Sequence, residues 1–180
     1  YPERWAVLER LTLAHASSTL AALAAFPEGN PATLDEVMQR SEIRPIYRRL
    51  VQRWLRALVQ AGQLVESGDG YAPASGLSAV DRESSWREAE RCLEDEPGML
   101  TYLRRCGMLL SGVLTGKVDP LETLFPDGSF TLAEAIYEVG PEARYSNRIV
   151  AEAVGAFIEQ RREKRSMRLL ELGGGTGGTT

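Results

Sequence analysis

The last thirteen residues, Arg168-Leu-Leu-Glu-Leu-Gly-Gly-Gly-Thr-Gly-Gly-Thr-Thr180, constrain the fold more than any other stretch of the chain. Leu169, Leu170 and Leu172 form the short apolar run of a buried strand, and Gly173, Gly175 and Gly177 follow at alternate positions. Residues without a Cβ can take left-handed backbone angles and bring the main chain close to a flat or charged ligand. A strand ending in such a turn predicts the first strand of an α/β core. A nucleotide-type ligand also needs the N-terminus of the next helix and a second acidic residue roughly 20 positions on to hold a ribose. Neither follows here, so the stretch is expected to open a longer domain.

A glycine fingerprint alone admits a dinucleotide site, a flavin site or a tight turn with no ligand. Glu171, two residues before Gly173, and Thr176 among the glycines give Glu-x-Gly-x-Gly-x-Gly. This form resembles the first motif of S-adenosylmethionine-dependent methyltransferases. The resemblance implies S-adenosylmethionine as cofactor, bound by Glu171, Gly173, Gly175 and Gly177, with the loop against its methionine part and no pyrophosphate to neutralise.

The other residues must build one ordinary core or two small ones, which is what 180 residues with 43% hydrophobic content can bury. A net charge of −4 and a pI near 5.2 provide no global basic field for nucleic acid or an anionic membrane. Cys92 and Cys106 are the two cysteines, and neither has neighbours at metal-ligand spacing. A disulfide framework and a metal site are therefore not expected, and a reducing, cytoplasmic setting fits. There is no run of about 18 apolar residues, and Tyr1-Pro-Glu-Arg-Trp-Ala lacks the basic-then-apolar order of a secretion signal.

Trp5, Leu8, Leu11 and Leu20, with many alanines, predict an amphipathic helix from Pro2 to Phe26. Thr33 and Glu36 form a capping box for a short helix to about Arg40. Pro45 opens a third helix with Leu50, Trp54, Leu55 and Leu58, which Gly62 ends. Gln63–Ser67 and Tyr71–Ala74 around Gly68-Asp-Gly70 read as a hairpin. Helix, short helix, helix, hairpin is the order of a winged helix. Arg44, Arg48, Arg49, Arg53 and Arg56 are assigned to its third helix, the one that enters a DNA groove in such modules. Against a DNA role stand 25 acidic residues to 21 basic ones, and the ordinary use of arginines as a solvated helix face.

Ser75 to Asp95 is polar, with Trp86 and Leu93 as anchors, and reads as a loop leading to a surface helix. Pro97 precedes Met99, Leu100, Leu103, Leu109, Leu110 and Leu114, an apolar helix expected at the centre of the packing, with Met99 and Met108 as core filling. Tyr145 and Asn147 open a further helix through Ile149, Val150, Val154 and Phe157. They are read either as contacts for substrate in a cleft, offering hydrogen bonds without charge, or as a seam-filling ring and a helix cap. Tyr137 is a weaker candidate of the same kind. Arg161, Arg162, Lys164 and Arg165 read as a solvated helix end.

A longer pattern ties these pieces together. Leu114-x-Gly116-x-x-Asp119-Pro-Leu-Glu-x-Leu-Phe-Pro-x-Gly128, Tyr137, Ala143-Arg144-Tyr145-x-Asn147 and the glycine loop, preceded by Ile46-Tyr47-x-x-Leu50 and Trp54-Leu55-x-x-Leu58-x-x-x-Gly62, follow in order. This order resembles the N-terminal half of a C-methyltransferase domain of a modular polyketide synthase, from about Tyr47 onward. The resemblance implies a mainly α fold: a helical lid with a winged-helix-like hairpin, leading into the first strand of a truncated α/β Rossmann-like methyltransferase core. It implies a division into a winged-helix-like subdomain (1–75), a lid with connecting helices (76–167) and the start of the core (168–180).

The implied reaction is methylation of the α-carbon of a β-ketoacyl chain held as a thioester on an acyl carrier protein, with neighbouring synthase domains in the same polypeptide. That carbon lies between two carbonyls, so a positioned base can remove its proton before the enolate attacks the methyl donor. In the family the base is a histidine paired with a glutamate downstream of the glycine loop. The single histidine here, His15, lies in the first helix and reads as structural. No catalytic residue is therefore expected within these residues, and the implied contacts are Tyr145, Asn147 and Tyr137 for substrate. Two other readings remain: a non-catalytic methyltransferase-like spacer in a synthase, and a winged-helix nucleic-acid module.

Overall fold

Alanine and leucine fill a stretch that no glycine or proline interrupts after Pro2, and helix α1 runs over Pro2–Ala22. The structure, a computed structural model, describes residues 2–74, 82–160, 168, 170, 172, 173 and 175–177. Helix α2 (Leu34–Arg40) starts at the expected capping box: Thr33 N–H donates to Glu36 Oε2 at 2.8 Å and Glu36 N–H to Thr33 Oγ1 at 3.3 Å. Pro45 opens a 3-10 turn (Pro45–Tyr47) that feeds α3 (Arg48–Gln60), so Arg44 stands just outside the helix. Val51, Trp54, Leu55 and Leu58 recur at helical spacing and are the buried residues of α3.

Strands β1 (Leu64–Ser67) and β2 (Gly70–Pro73) pair antiparallel, with Leu64 opposite Pro73 and Ser67 opposite Gly70. The two-residue turn between them has Gly68 at φ 58°, the positive angle such hairpins require. A third backbone segment joins the hairpin. Ala32 and Tyr71 exchange two N–H···O bonds of 2.9 Å, and a Cβ on Gly70 would stand 2.6 Å from the Ala32 carbonyl oxygen. Gly70 is thus needed for close approach rather than for its angles.

Leu20, Phe26, Val37, Ile43, Val51, Trp54, Leu55, Leu58 and Leu64 close over one another in a buried cluster. It draws on α1, α2, α3 and β1, so the hairpin and three helices share one core. Helix α5 (Pro97–Thr115) adds Leu114 to it, and the Arg44 amide donates to the Leu114 carbonyl at 2.9 Å. The other half of α1 meets α4 (Arg82–Cys92) in a second cluster of Val7, Leu11 and Ala89, flanked by Trp86, Leu100 and Leu103. His15 lies between these elements. Its ring meets Trp86 edge-on at 5.6 Å, and a Cβ on Gly107 would fall 2.1 Å from its Cε1. Burial, then Arg82, lowers the imidazole pKa, which keeps the ring neutral.

Beyond α5 come 3-10 turns at Pro120–Thr123 and Pro126–Gly128, α6 (Thr131–Glu134), a π-helical turn (Ala135–Val139) and α7 (Pro141–Gln160). Asp119 accepts the Leu121 amide at 2.9 Å and so caps the first of these turns.

Two expectations are corrected here. Helix α5 is not a central element: Val113 and Leu114 are its buried residues, and Met108 is 74% exposed. The helix lays Gly107 against His15, which leaves the neighbouring position pointing outward. The strand expected at Leu169–Leu172 is also not formed at its described positions. Leu170 and Leu172 lie outside any strand and are 84% and 86% exposed. A strand is stable only where a neighbour completes its backbone hydrogen bonds, and β1 and β2 form the sheet of the described residues without it.

Candidate functional site

Pro97 and Pro141 each occupy the first turn of a helix, where a missing N–H costs nothing, and they fix where α5 and α7 begin. Those two starts, the N-terminal turns of α1 and the π-helical turn enclose a cavity of about 450 Å3. Trp5, Leu8, Leu93, Met99 and Ile136 give it an apolar wall, while Arg4, Glu96, Glu142, Ser146 and Asn147 supply polar groups. The combination of an apolar wall with a few converging polar groups is what small-molecule sites have in common. Met99, expected as core filling, lines this cavity instead.

Charge in the cavity is organised around Arg4. Its guanidinium pairs with Asp95 at 2.8 Å, with the buried Glu96, and more distantly with Glu142 at 3.6 Å. Three carboxylates thus surround one cation. Burial, followed by the nearby Glu142, pushes the Glu96 carboxyl above its ordinary range, whereas the hydrogen bond from Arg4 lowers that of the exposed Asp95.

The side-chain amide of Asn147 donates to the Tyr137 carbonyl at 3.0 Å, and both residues line the cavity. This contact ties the π-helical turn to α7. Asn147 is the seventh residue of α7, too far along to cap it. Tyr145 does not share the site: it is 70% exposed and outside the cavity lining. Residues two apart on a helix point about 200° away from each other, so one cleft cannot receive both. Periodicity applied to this pair separates them; closeness in sequence does not.

The glycine loop has the backbone that its sequence implies. Gly173, Gly175 and Gly177 have φ of 82°, 56° and 83°, angles that residues with a Cβ avoid. A Cβ at Gly173 or Gly177 would meet nothing within 4 Å, so the loop presents open backbone. These three glycines fit a ligand that approaches the main chain. Glu171 and Leu169 lie outside the described residues, as do Arg161, Arg162, Lys164 and Arg165.

Neither the Cys106 thiol nor the Tyr102 phenol is activated as a nucleophile. Partial burial raises the Cys106 thiol pKa, and the phenol of Tyr102, half-buried and hydrogen-bonded to Cys106, is pushed up to about 12. Both groups keep their protons at neutral pH. Among the described residues, no three His, Cys, Asp or Glu side chains gather as a metal site, and no helix is long and apolar enough to cross a membrane.

No family model matches the chain. Among curated proteins it is 34% identical over 174 residues to pyochelin synthetase PchF of Pseudomonas aeruginosa, covering 95% of this chain and 10% of that protein. It is 31% identical over 154 residues to polyketide synthase PksM of Bacillus subtilis, covering 81% of this chain and 4% of that one. Among solved structures, the CurJ carbon methyltransferase superposes with a TM-score of 0.82 at 31% identity, over 97% of this chain and 46% of the other. The DszA carbon methyltransferase gives a TM-score of 0.81 at 25% identity, over 98% and 46%. The CMeT domain of the citrinin polyketide synthase, at 21% identity and a TM-score of 0.72, shares the fold. The chain therefore spans about half of the solved domains and a small part of the synthases.

Proposed function

We propose, for a chain that matches carbon-methyltransferase domains of polyketide synthases in both sequence and fold, that it forms the lid side of such a domain within a larger synthase. The domain transfers a methyl group from S-adenosylmethionine to the α-carbon of a β-ketoacyl thioester on an acyl carrier protein. The observation that carries this reading is agreement over 97% and 98% of the chain with two carbon methyltransferases at TM-scores of 0.82 and 0.81, together with the three left-handed glycines Gly173, Gly175 and Gly177.

When bound, S-adenosylmethionine supplies an electrophilic methyl group. The residues of this chain bind and shape. Gly173, Gly175 and Gly177 let the backbone approach the cofactor, and Glu171 holds its polar part. The cavity under α7 takes the acyl chain against Trp5, Leu8 and Met99, with Asn147 and Tyr137 fixed to each other at its rim. Tyr145, exposed and outside the cavity lining, is assigned to the substrate from the other side of α7. The base that removes the α-proton lies outside this chain, since His15 is neutral, partly buried and engaged with Trp86 and Gly107.

A methyltransferase-like spacer without activity would have no use for an open glycine loop, and this favours the catalytic reading. The test uses the full-length protein. Calorimetric titration with S-adenosylmethionine should give saturable binding to the wild type and none to Gly175→Val, because a branched side chain resists a φ of 56° and fills the approach. Tyr145→Phe should keep cofactor affinity and lower the rate on carrier-bound substrate. Equal binding by wild type and Gly175→Val removes the cofactor assignment.

A further inference from the structure

The outer face of α3 and the turn before it carry arginines that, Arg48 apart, form no ion pair among the described residues. From Arg44 to Gln60 the chain has five arginines and no acid. Arg48 is taken up by Asp35 on α2. Arg44, Arg49, Arg53 and Arg56 are exposed and form no ion pair among the described residues. Between them stand two exposed apolar side chains, Ile46, 75% exposed, and Leu50. Positions 49, 50, 53 and 56 follow the three-and-four spacing of one face of α3, opposite the buried Val51, Trp54, Leu55 and Leu58, and Ile46 stands in the 3-10 turn that leads into it.

A protein surface and a nucleic-acid duplex would both meet such a helix. The hairpin decides between them. In a winged-helix reader the wing lies along the phosphate backbone and helps to neutralise it. Here β1, the turn and β2 carry Glu66 and Asp69 and no lysine or arginine. The chain as a whole is also acidic, at −4. Exposed isoleucine and leucine ringed by guanidinium groups match an interface with a small apolar centre and a charged rim, in which arginine is favoured.

We infer that Ile46, in the turn before α3, together with Arg49, Leu50, Arg53 and Arg56 on the outer face of α3, docks an acidic protein surface, and that its occupant is the carrier protein that presents the thioester. The choice of occupant rests on the function proposed above, and its charge is read from the arginines. Docking on α3 holds the carrier by complementary charge and leaves the cavity beneath α7 free for the acyl chain.

The test compares full-length wild-type protein with Arg49→Glu/Arg53→Glu and, as a milder variant, Ile46→Ser. All three positions are exposed, and unchanged thermal melting confirms folding. Fluorescence anisotropy with the acyl carrier protein of the same synthase should show at least about a tenfold weaker complex for the double variant, and a wild-type affinity that falls with added salt. The KM for carrier-bound β-ketoacyl substrate should rise by a similar factor while kcat, and the rate on a small soluble β-ketoacyl thioester, stay unchanged. Carrier affinity and KM unaltered by both variants overturn the docking site and leave the methyltransferase reading intact. Carrier binding that depends on the arginines, without methylation of any thioester, keeps the docking site and overturns that reading. Arginine-dependent nanomolar binding of duplex DNA, with no affinity for the carrier, overturns the choice of partner.

Discussion

Residues 2–74 and helix α7 both carry apolar residues at helical spacing, yet they end in opposite states. In α3, thirteen residues bury Val51, Trp54, Leu55 and Leu58 completely or nearly so. In α7, twenty residues bury none. Ile149, Val150, Val154 and Ile158 fall within about half of the helix circumference at 100° per residue, and all are exposed. The first region satisfies its apolar face with its own neighbours. The second has an apolar face of the same kind without a described cover, and the solved carbon methyltransferases that it resembles are about twice as long. Hydrophobic periodicity thus identifies a face that must be covered, but not what covers it.

Core truncation should separate the two regions most. Leu55→Ala removes a side chain with 0% exposure and should cost about 2–5 kcal/mol in urea unfolding of the 180-residue chain. A loss below about 1 kcal/mol would mean that the first region is no better closed than the second.

Gly107→Ala probes the joint between α1, α4 and α5. The added Cβ would sit 2.1 Å from His15 Cε1, in a ring already held by Trp86, so overpacking should cost about 1–3 kcal/mol. Unchanged stability would show that the imidazole moves aside freely.

Ile149→Ser should change the stability of the 180-residue chain by less than about 0.5 kcal/mol, as for an exposed site. In the full-length protein the same substitution should cost more, on the order of 1–2 kcal/mol, if α7 is covered there. Equal costs in both would leave the face uncovered and sink the comparison.

The smallest expected effect is in pH. His15, in the first region, has a folded pKa lowered from 6.5, so the fold favours its neutral form. Its contribution is present above pH 6.5 and is lost as pH falls through the lowered value. Glu96, beside α7, is raised from 4.5, so its contribution is full below pH 4.5 and is lost as pH rises through the raised value. The two groups therefore respond in opposite directions. Urea midpoints across this range should fall on the alkaline side less in Glu96→Gln than in the wild type, and NMR should place the His15 titration below 6.5. A His15 titration at or above the ordinary value would remove its buried role.

Local signals were legible in the sequence, and long-range ones were not. The Thr33–Glu36 capping box, the Gly68 turn and the α3 stripe each follow from residues within one turn of each other, and each is found where expected save that Val51, not the exposed Leu50, opens the buried side of α3. The Ala32–Tyr71 bridge was missed because pairing across nearly forty residues leaves no periodic trace; Gly70 was the available sign, as a glycine with no need of unusual angles. Met108 was misplaced because apolar content was counted without asking which side of α5 meets α1. The cavity around Arg4 and Glu96 was also missed, since Arg4 and Glu96 lie ninety-two positions apart. At the candidate site Tyr137 and Asn147 come together, while Tyr145 turns away for the simple reason of helical pitch.

The most direct measurement is methyl transfer itself, from labelled S-adenosylmethionine to a β-ketoacyl acyl carrier protein, read by intact mass. The account predicts a mass increase of one methyl group with the full-length protein and none with the 180-residue chain, whose single histidine, His15, is half-buried and engaged with Trp86. Methylation by the 180-residue chain alone, or none by the full-length protein, would contradict it.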